Sequence, residues 1–266
     1  MNAPPAGRGL VLRAGGRPDH AATGGAPHLG AAGGVRVLGA DARVVLLLAD
    51  IAPAARLWGW GRFITGRAAA RAEAGVCFAK VLGSGHDGGF GLRPSGSRQG
   101  LFCVLRDAAA AEAFVQCSPL VRAYREHARE FALASLRVTS CRGSWAGVRF
   151  EPVAEAPPQG RIAALTRASI RPQRAARFWR HAPPSQRALA EAPGCVLAVG
   201  LGEAPLLRQA TFSIWQDVDS MRAYAHTGAH RLAIDAAREH GLFSESMFAR
   251  FVVDSLEGSW RGVPLG

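Results

Sequence analysis

The chain contains an internal duplication, which constrains its fold more than any other feature of the sequence. The peptide Gly-Ser-Trp-x-Gly-Val begins at Gly143 and again at Gly258. Earlier in each copy, Arg56-Leu-Trp58 matches Arg177-Phe-Trp179. Because several motifs recur in the same order, the sequence predicts two copies of one structural unit.

Hydrophobic alternation and helical periodicity predict the order β-α-β-β-α-β for each copy. In the first copy, a long Ala-rich helix is expected to run from Ala108 towards Leu133. The predicted strands span 44–49, 76–82, 101–105 and 136–141 in the first copy, and 162–170, 195–200, 211–215 and 248–253 in the second.

This order is the ferredoxin-like arrangement, in which a single unit leaves one face of its sheet uncovered. Two units bury those faces against each other, so we expect an α+β fold of the dimeric α/β-barrel type within one chain. The first repeat is predicted over 43–154 and the second over 155–266. Residues 1–42 are rich in Gly, Ala, Pro and Arg and are predicted to form a disordered extension.

The composition narrows the class of protein. The formal net charge is +12, and Lys80 is the only lysine, so nearly all of the positive charge comes from arginine. These arginines are scattered through both halves, a pattern that argues against nucleic-acid binding. The five cysteines form no C-x-x-C pair, which favours a reducing compartment. No apolar run reaches the roughly 18 residues of a membrane span, so we expect a cytoplasmic protein, with some attraction to anionic lipid headgroups.

A glycine-rich stretch from Gly83 to Gly88 matches the dinucleotide-binding pattern G-x-G-x-x-G. That fingerprint requires a helix to begin at the last glycines, whereas here the peptide Gly89-Phe-Gly-Leu-Arg-Pro94 follows. We therefore interpret the match as a hairpin loop whose glycines let the backbone approach a bulky ligand.

Two of the eight histidines, His226 and His230, lie four residues apart on a predicted helix. They lack a third ligand nearby and so do not indicate a zinc site. A haem iron needs only one axial imidazole and a large apolar slot. Aligning the two Ala-rich helices places Leu120 opposite His230, so the histidine belongs to the second repeat alone. This asymmetry favours His230 as an axial haem ligand, with His226 as second choice and a cysteine thiolate as the competing ligand type.

Aromatic residues on the predicted helices and strands are candidates for lining a haem or substrate pocket, although such residues commonly belong to the core. The candidates are Trp58, Trp179, Trp215, Phe178 and Phe212. Trp145 and Trp260 occur in the repeated peptide and are expected to pack in the core or at its rim.

Several colinear segments carry a family resemblance. They are Phe78-Ala-Lys-Val-Leu-Gly-Ser-Gly85 with Gly89-Phe90, Arg161-Ile-Ala-Ala-Leu-Thr-Arg-Ala-Ser-Ile170, Ala175-Ala-Arg-Phe-Trp179, Gln209-Ala-Thr-Phe-Ser-Ile-Trp215, and Ala249-Arg-Phe251 with Gly258-Ser-Trp260. Together they resemble the spheroidene monooxygenase family, the carotenoid 2-ketolases of purple phototrophic bacteria. The resemblance covers roughly residues 43–262.

The resemblance implies a haem-containing oxygenase that uses O2 and reduced ferredoxin to hydroxylate an acyclic carotenoid twice at C-2. The resulting geminal diol then collapses to a ketone. No family motif fixes the haem ligand, so the prediction for His230 depends on the comparison of the repeats. Because the implied substrate dissolves in membranes, contact with a membrane surface is also expected.

Two alternatives remain open at this point. One is another haem enzyme of the same barrel type, such as a dehydratase or a peroxidase. The other is a duplicated barrel that binds haem or a hydrophobic ligand without catalysing a reaction.

Overall fold

In the part of the chain that the structure describes, the eight longest strands pair antiparallel and close into a barrel, and helices pack on its outer surface. The computed structural model describes residues 34–89, 93–153, 160–204, 206–225, 237 and 239–266. The strands are β1 (Arg36–Leu38), β2 (Arg43–Ile51), β3 (Val76–Gly85), β4 (Pro94–Leu105), β5 (Ala128–Gly143), β6 (Val148–Phe150), β7 (Ile162–Ile170), β8 (Cys195–Ala204), β9 (Arg208–Trp215), β10 (Phe243–Trp260) and β11 (Val263–Pro264). The helices are α1 (Arg56–Ala72), α2 (Ala108–Cys117), α3 (Pro119–His127), α4 (Ala175–Ala190) and α5 (Val218–Ala225).

The strand order confirms the predicted duplication. The first repeat forms a sheet in the order β5-β2-β4-β3, and the second forms one in the order β8-β9-β7-β10. These two orders are equivalent when the strands of each repeat are numbered along the chain. Pairing of β3 with β8 and of β5 with β10 joins the repeats and closes the barrel. The fold is therefore two tandem ferredoxin-like units in one barrel, as predicted.

Alternation along the strands separates the barrel interior from the surface beneath the helices. On β2, Val44, Leu46 and Leu48 point into the interior, where they pack against side chains from both repeats. Trp145 is fully buried in the same core, and Trp260 is 3% exposed. The interior is thus filled by side chains, and the prediction that these two tryptophans pack in the core is confirmed.

The repeated peptide is explained by its first glycine. Gly143 has φ +79° and Gly258 has φ +91°, a left-handed conformation that only glycine adopts readily. A Cβ atom at either position would also overlap a carbonyl oxygen, that of Ser246 in the first case and that of Phe131 in the second. The duplicated motif therefore marks two equivalent close approaches of backbone to a neighbouring strand.

The long Ala-rich helix predicted from Ala108 towards Leu133 is wrong beyond Cys117. The helix ends before Ser118. The hydroxyl of Ser118 accepts hydrogen bonds from the amides of Leu120 and Val121 and so caps the start of α3. Pro119 ends α2, because proline has no amide to donate and restricts the residue before it. The second helix stops at His127, so Leu133 lies in β5.

The structure describes residues 34–42 of the segment that was predicted to be a disordered extension. β1 lies within the segment predicted to be disordered, where it pairs in parallel with β6. Its backbone hydrogen bonds give this short segment a defined place in the structure. The part of that prediction concerning residues 1–33 lies outside the described residues.

The glycine-rich match at Gly83–Gly88 lies at the tip of an antiparallel hairpin formed by β3 and β4. His86–Gly88 forms one turn of 3-10 helix, and the next described element is β4 rather than an α-helix. This arrangement agrees with the predicted hairpin loop. No helix within the described ranges is long and apolar enough to cross a membrane.

Candidate functional site

A cleft of about 360 Å³ lies on the outer face of the second repeat, between its sheet and the helices α4 and α5. Its floor includes Thr166, Thr211 and Ser213, and its helical side includes Leu189 and Met221. We call this space the outer cleft. Its volume falls within the range of roughly 300–1,000 Å³ that is typical of small-molecule sites.

Equivalent rows of residues differ between the two sheets, and part of the second-repeat row lines the outer cleft. Strand pairing aligns one outward-facing residue from each of four strands into such a row. In the first repeat the row consists of Leu133, Leu47, Leu101 and Val81. In the second repeat it consists of Phe248, Thr166, Thr211 and Gly200.

Among the residues that the structure describes, the first-repeat row is more deeply buried than the second-repeat row. Leu47 and Leu101 are at most 1% exposed and lie in a core that includes Leu120 and Tyr124 from α3. The second-repeat row replaces two leucines and a valine with two threonines and a glycine, which removes apolar volume from beneath the helices. Thr166 and Thr211 line the outer cleft, whereas Gly200 lines a separate cavity described below.

One wall of the outer cleft is aromatic. Trp215 is 1% exposed, and its indole Nε1 donates a 2.9 Å hydrogen bond to the hydroxyl of Ser213. The ring of Tyr224 lies 5.4 Å from the ring of Trp215. Because the indole N–H is satisfied within the strand, Trp215 presents an apolar surface to the cleft.

The opposite edge of the outer cleft carries positive charge. Arg142 of β5 and Arg250 of β10 line this edge, and both side chains are exposed. Neither arginine forms an ion pair within the part of the chain that the structure describes. Phe248, which pairs with Arg142 across the sheet and lies two residues before Arg250 on β10, is 42% exposed. The cleft therefore joins an apolar interior to a rim suited to binding carboxylates.

The two predicted haem ligands, His226 and His230, lie outside the described residues. Ala225 lines the outer cleft, and His226 follows it directly in the chain. Met221 and Tyr224 are the described lining residues whose side chains are of types that ligate haem iron. Among the described residues, no group of three or more His, Cys, Asp or Glu side chains is placed to hold a metal ion.

The cysteines do not support the competing thiolate ligand. None of them lines the outer cleft, and all five are free thiols. Burial raises the pKa of Cys195 to about 11 and also raises the pKa of Cys103 and Cys141. These three side chains are therefore held as neutral thiols, which are poor ligands for iron.

A second cavity of about 360 Å³ lies at the junction of β3 and β8, where the two repeats meet. We call it the seam groove. Glycines line its floor, among them Gly83 and Gly202, and the rings of Phe63 and Trp179 line its sides. The indole Nε1 of Trp179 donates a 3.0 Å hydrogen bond to the carbonyl of Leu206, which fixes the ring at the groove. The result is a narrow, aromatic-sided groove with room above its floor.

The other three predicted lining residues lie elsewhere. Trp58 belongs to the first repeat, where it stacks on His127 at 4.3 Å between ring centroids. Phe178 packs edge-on against Trp179 and Phe243 rather than lining either large cavity. Phe212 is fully buried in the barrel interior. Trp215 and Trp179 are thus the predicted residues that the structure places in the outer cleft and the seam groove.

A buried charge network joins the two repeats and was missed by the sequence patterns. Lys80 of β3 pairs with Glu203 of β8, and Arg167 of β7 pairs with both Glu203, at 3.1 Å, and Glu245 of β10. The indole of Trp145 also donates a 2.6 Å hydrogen bond to Glu203. Its signal in the sequence was the single lysine of the chain within an otherwise apolar strand.

The network sets the charge of Glu203. Burial alone raises the pKa of this carboxyl, but the hydrogen bond and positive charge of Lys80, with help from Trp145 and Arg167, lower its pKa below the ordinary value. Glu203 therefore stays ionised, and the two cations beside it are compensated. The network serves to hold the repeats together at the edge of the seam groove.

Comparison with known proteins identifies the family. No protein-family model matches the chain. A spheroidene monooxygenase from Rubrivivax gelatinosus is 59% identical over 218 residues, which cover 82% of this chain and 84% of the relative. The spheroidene monooxygenase of Rhodobacter capsulatus is 37% identical over 209 residues, covering 77% of this chain and 87% of the relative.

Among solved structures, two aldoxime dehydratases share the fold. One, in complex with butyraldoxime, has a TM-score of 0.52 at 12% identity, covering 82% of this chain and 81% of that protein. The other has a TM-score of 0.50 at 11% identity, covering 80% of this chain and 81% of that protein. At such low identity the likeness concerns the fold alone. The sequence relatives are decisive, and the chain belongs to the spheroidene monooxygenase family.

Proposed function

We propose that the protein is a haem-dependent monooxygenase that uses O2 and reduced ferredoxin to convert an acyclic carotenoid of the spheroidene type into its 2-keto derivative. Membership of the family supports the monooxygenase reaction and the carotenoid substrate. The structural observation that carries the cofactor assignment is the outer cleft, a space in the second repeat that the first repeat fills with leucine side chains.

The types of side chain that line the outer cleft suit a haem group. Its macrocycle is flat and apolar, which suits the surfaces of Trp215, Leu189 and Met221. Its two propionates need cationic partners, which Arg142 and Arg250 supply at the exposed edge. When bound, haem supplies the activation of O2 that amino-acid side chains lack.

His230 is the proposed axial ligand, with His226 as second choice. Two observations support this choice of ligand. The outer cleft lies on the second repeat, which contains both histidines, and the first-repeat counterpart of His230 is Leu120, a buried core residue. Leu120 contributes to the core that fills the equivalent space of the first repeat. The choice of His230 therefore depends on its pairing with Leu120 in the comparison of the two repeats.

The reaction balances with two identical oxygenations. Each turnover inserts one atom of O2 into a C–H bond at C-2 and releases the other atom as water, with two electrons from reduced ferredoxin and two protons. The second hydroxylation gives a geminal diol, which loses water to form the ketone. The net charge of +12 complements an acidic electron-transfer partner.

The seam groove suits the polyene of the substrate. A conjugated chain is rigid, narrow and apolar, and the groove offers a glycine-lined floor between Phe63 and Trp179. Strand β9 contributes Gln209 to the groove and Thr211 to the outer cleft, so the two cavities share one face of the sheet. Residues two apart on a strand are separated by about 6–7 Å. A polyene held in the groove is thus positioned with one end near the cleft.

The function is tested by co-expressing the protein with a pathway that makes spheroidene and analysing the pigments by liquid chromatography and mass spectrometry. A 2-keto carotenoid is expected in aerated cultures and not in anaerobic ones. A catalytically competent control, the relative from Rubrivivax gelatinosus, shows that the host supplies haem and electrons. If that control converts spheroidene and this protein, expressed to the same level, does not, the proposed substrate is wrong.

A further inference from the structure

Helix α1 packs on the barrel through its smallest residues. Gly59, Gly66 and Ala70 are its buried positions. A Cβ atom at Gly66 would lie 2.9 Å from Cγ2 of Val81, and one at Gly59 would lie 3.1 Å from Cγ1 of Ile51. The glycines therefore let the helix lie close to the sheet, and little of its apolar side-chain surface is buried there.

Four of the five large apolar residues of α1 are exposed, and the fifth, Trp58, packs against Tyr124 and His127. Leu57 is 80% exposed, Phe63 is 46% and Ile64 is 85%. Trp60 is 53% exposed, and its indole Nε1 donates a 3.0 Å hydrogen bond to the carbonyl of Gly96 on β4. The spacing of the four exposed residues places them together on the outer face of the first two turns. A helix of a globular protein ordinarily buries its large apolar residues. The exposure of these residues on α1 therefore indicates a surface that contacts another protein or a membrane. We call it the α1 face.

The positive charge around the α1 face favours an anionic membrane as its partner. Arg56, Arg67 and Arg71 are exposed on the same helix, and α1 contains no Asp or Glu. Helix α4, which faces α1 across the seam groove, also contains no Asp or Glu. Large apolar side chains next to unopposed arginines are the composition of helices that lie in the headgroup region of anionic bilayers.

We propose that the α1 face docks the protein on an anionic lipid bilayer, with Leu57, Trp60 and Ile64 inserted among the headgroups and the arginines bound to lipid phosphates. This inference rests on the proposed function for its purpose, since the carotenoid is dissolved in that bilayer. Phe63 belongs both to the α1 face and to the seam groove. Docking in this orientation therefore opens the groove towards the membrane.

A second copy of the chain fits this face less well. A two-fold dimer through the α1 face would pair the same surface with itself. The arginines of both copies would then face each other without an acidic residue on either helix. The charge thus favours an anionic bilayer over self-association.

The proposal is tested by flotation of the purified full-length protein with lipid vesicles. Vesicles of phosphatidylcholine alone are compared with an equimolar mixture of phosphatidylcholine and phosphatidylglycerol. The test variants are the double substitution Leu57→Glu/Ile64→Glu and the double substitution Arg67→Glu/Arg71→Glu. The matched controls are Val263→Glu, which changes an apolar residue that is 55% exposed on β11, and Arg149→Glu, which changes an exposed arginine on β6.

The wild-type protein and both controls are expected to float with the anionic vesicles and not with phosphatidylcholine alone. Each double variant should bind at least about tenfold more weakly, because it loses apolar insertion or phosphate contacts. Brominated lipids should quench part of the tryptophan fluorescence of the wild type, and Trp60→Phe should lose that part. All substituted side chains are exposed, so circular dichroism should show native folding.

Wild-type protein that stays unbound to anionic vesicles overturns the proposal, as does equal binding by the Leu57→Glu/Ile64→Glu variant. If that variant instead turns a wild-type dimer into a monomer without changing flotation, the α1 face is a self-association surface. Flotation involves no catalysis, and so its result is independent of the pigment assay. If docking is correct, the variant should also keep its activity on detergent-solubilised carotenoid and lose it on carotenoid in vesicles.

Discussion

Leu133 and Phe248 occupy equivalent positions on the last strands of the two repeats, yet Leu133 is 1% exposed and Phe248 is 42% exposed. Leu133 pairs across the sheet with Leu47, and Phe248 pairs with Thr166. The same topology therefore gives a deeply buried row in the first repeat and, among the residues that the structure describes, a row beside a cleft in the second.

The first prediction concerns the stability of the two equivalent rows. Leu101→Thr in the first repeat should lower the free energy of unfolding by about 2–4 kcal/mol, because it leaves a cavity and buries a hydroxyl. Thr211→Leu at the equivalent place in the second repeat should cost less than about 1 kcal/mol, because the outer cleft has room for the larger side chain. Denaturant unfolding of both variants measures the difference. Equal losses of stability would show that the second-repeat row has no more room for a larger side chain than the first-repeat row.

The second prediction distinguishes the two candidate ligands. His230→Ala should abolish the Soret absorption of the purified protein, because the iron loses its axial imidazole. His226→Ala should retain the band, as should the control His240→Ala, which removes a histidine elsewhere in the second repeat. An unchanged spectrum for His230→Ala, combined with a lost band for His226→Ala, would transfer the ligand role to His226.

The third prediction addresses the positively charged edge of the outer cleft. Replacing either Arg142 or Arg250 with glutamine should weaken haem binding by about tenfold, because each substitution removes a charge-assisted hydrogen bond to a propionate. Arg149→Gln, on β6 outside the cleft, serves as the control and should bind haem as the wild type does. Titration of haem into the apoprotein measures these affinities. Wild-type affinity in both cleft variants would show that the propionates lie elsewhere.

The fourth prediction concerns the buried charge network. Glu203→Gln should lower the free energy of unfolding at neutral pH by about 3 kcal/mol, because Lys80 and Arg167 lose a buried partner. The folded-state pKa of Glu203 lies below its ordinary value of 4.5, so the folded protein binds fewer protons there than the unfolded chain does. The stabilisation is therefore complete above about pH 4.5 and is lost as the pH falls through the folded-state pKa.

The pH dependence supplies the control for this network. Between neutral pH and pH 3, the free energy of unfolding of Glu203→Gln should fall less steeply than that of the wild type, because the variant lacks one carboxyl group whose pKa is lowered by folding. Glu126→Gln, an exposed substitution on α3, should follow the wild-type curve. Parallel curves for Glu203→Gln and the wild type would mean that folding does not change the pKa of Glu203.

The repeated peptides made most of the fold predictable, because a β-α-β-β-α-β unit present twice has one obvious way to bury both sheets. The break at Ser118 was visible in principle, since proline follows it, but the Ala-rich pattern on both sides concealed it. The position of Trp58 could not be predicted without knowing where α3 lies. That helix brings His127 against the ring and closes the first repeat.

The outer cleft could not be derived from composition or periodicity. It depends on which alternate residues face outwards and on the register that aligns Thr166 with Thr211 across the sheet. Threonine at those positions is compatible with an ordinary strand. Its consequence appears only when the row is compared with Leu47 and Leu101 in the packed repeat.

The central claim is that haem occupies the outer cleft, and the absorption spectrum of the purified protein tests it most directly. The wild type, produced in haem-replete cells, should show a Soret band in proportion to protein. The double variant Thr166→Leu/Thr211→Leu, which restores the packed row of the first repeat, should fold and lose that band. A folded wild-type protein without a Soret band, even after incubation with haem, would contradict the claim, and so would a band of undiminished intensity in the filled-cleft variant.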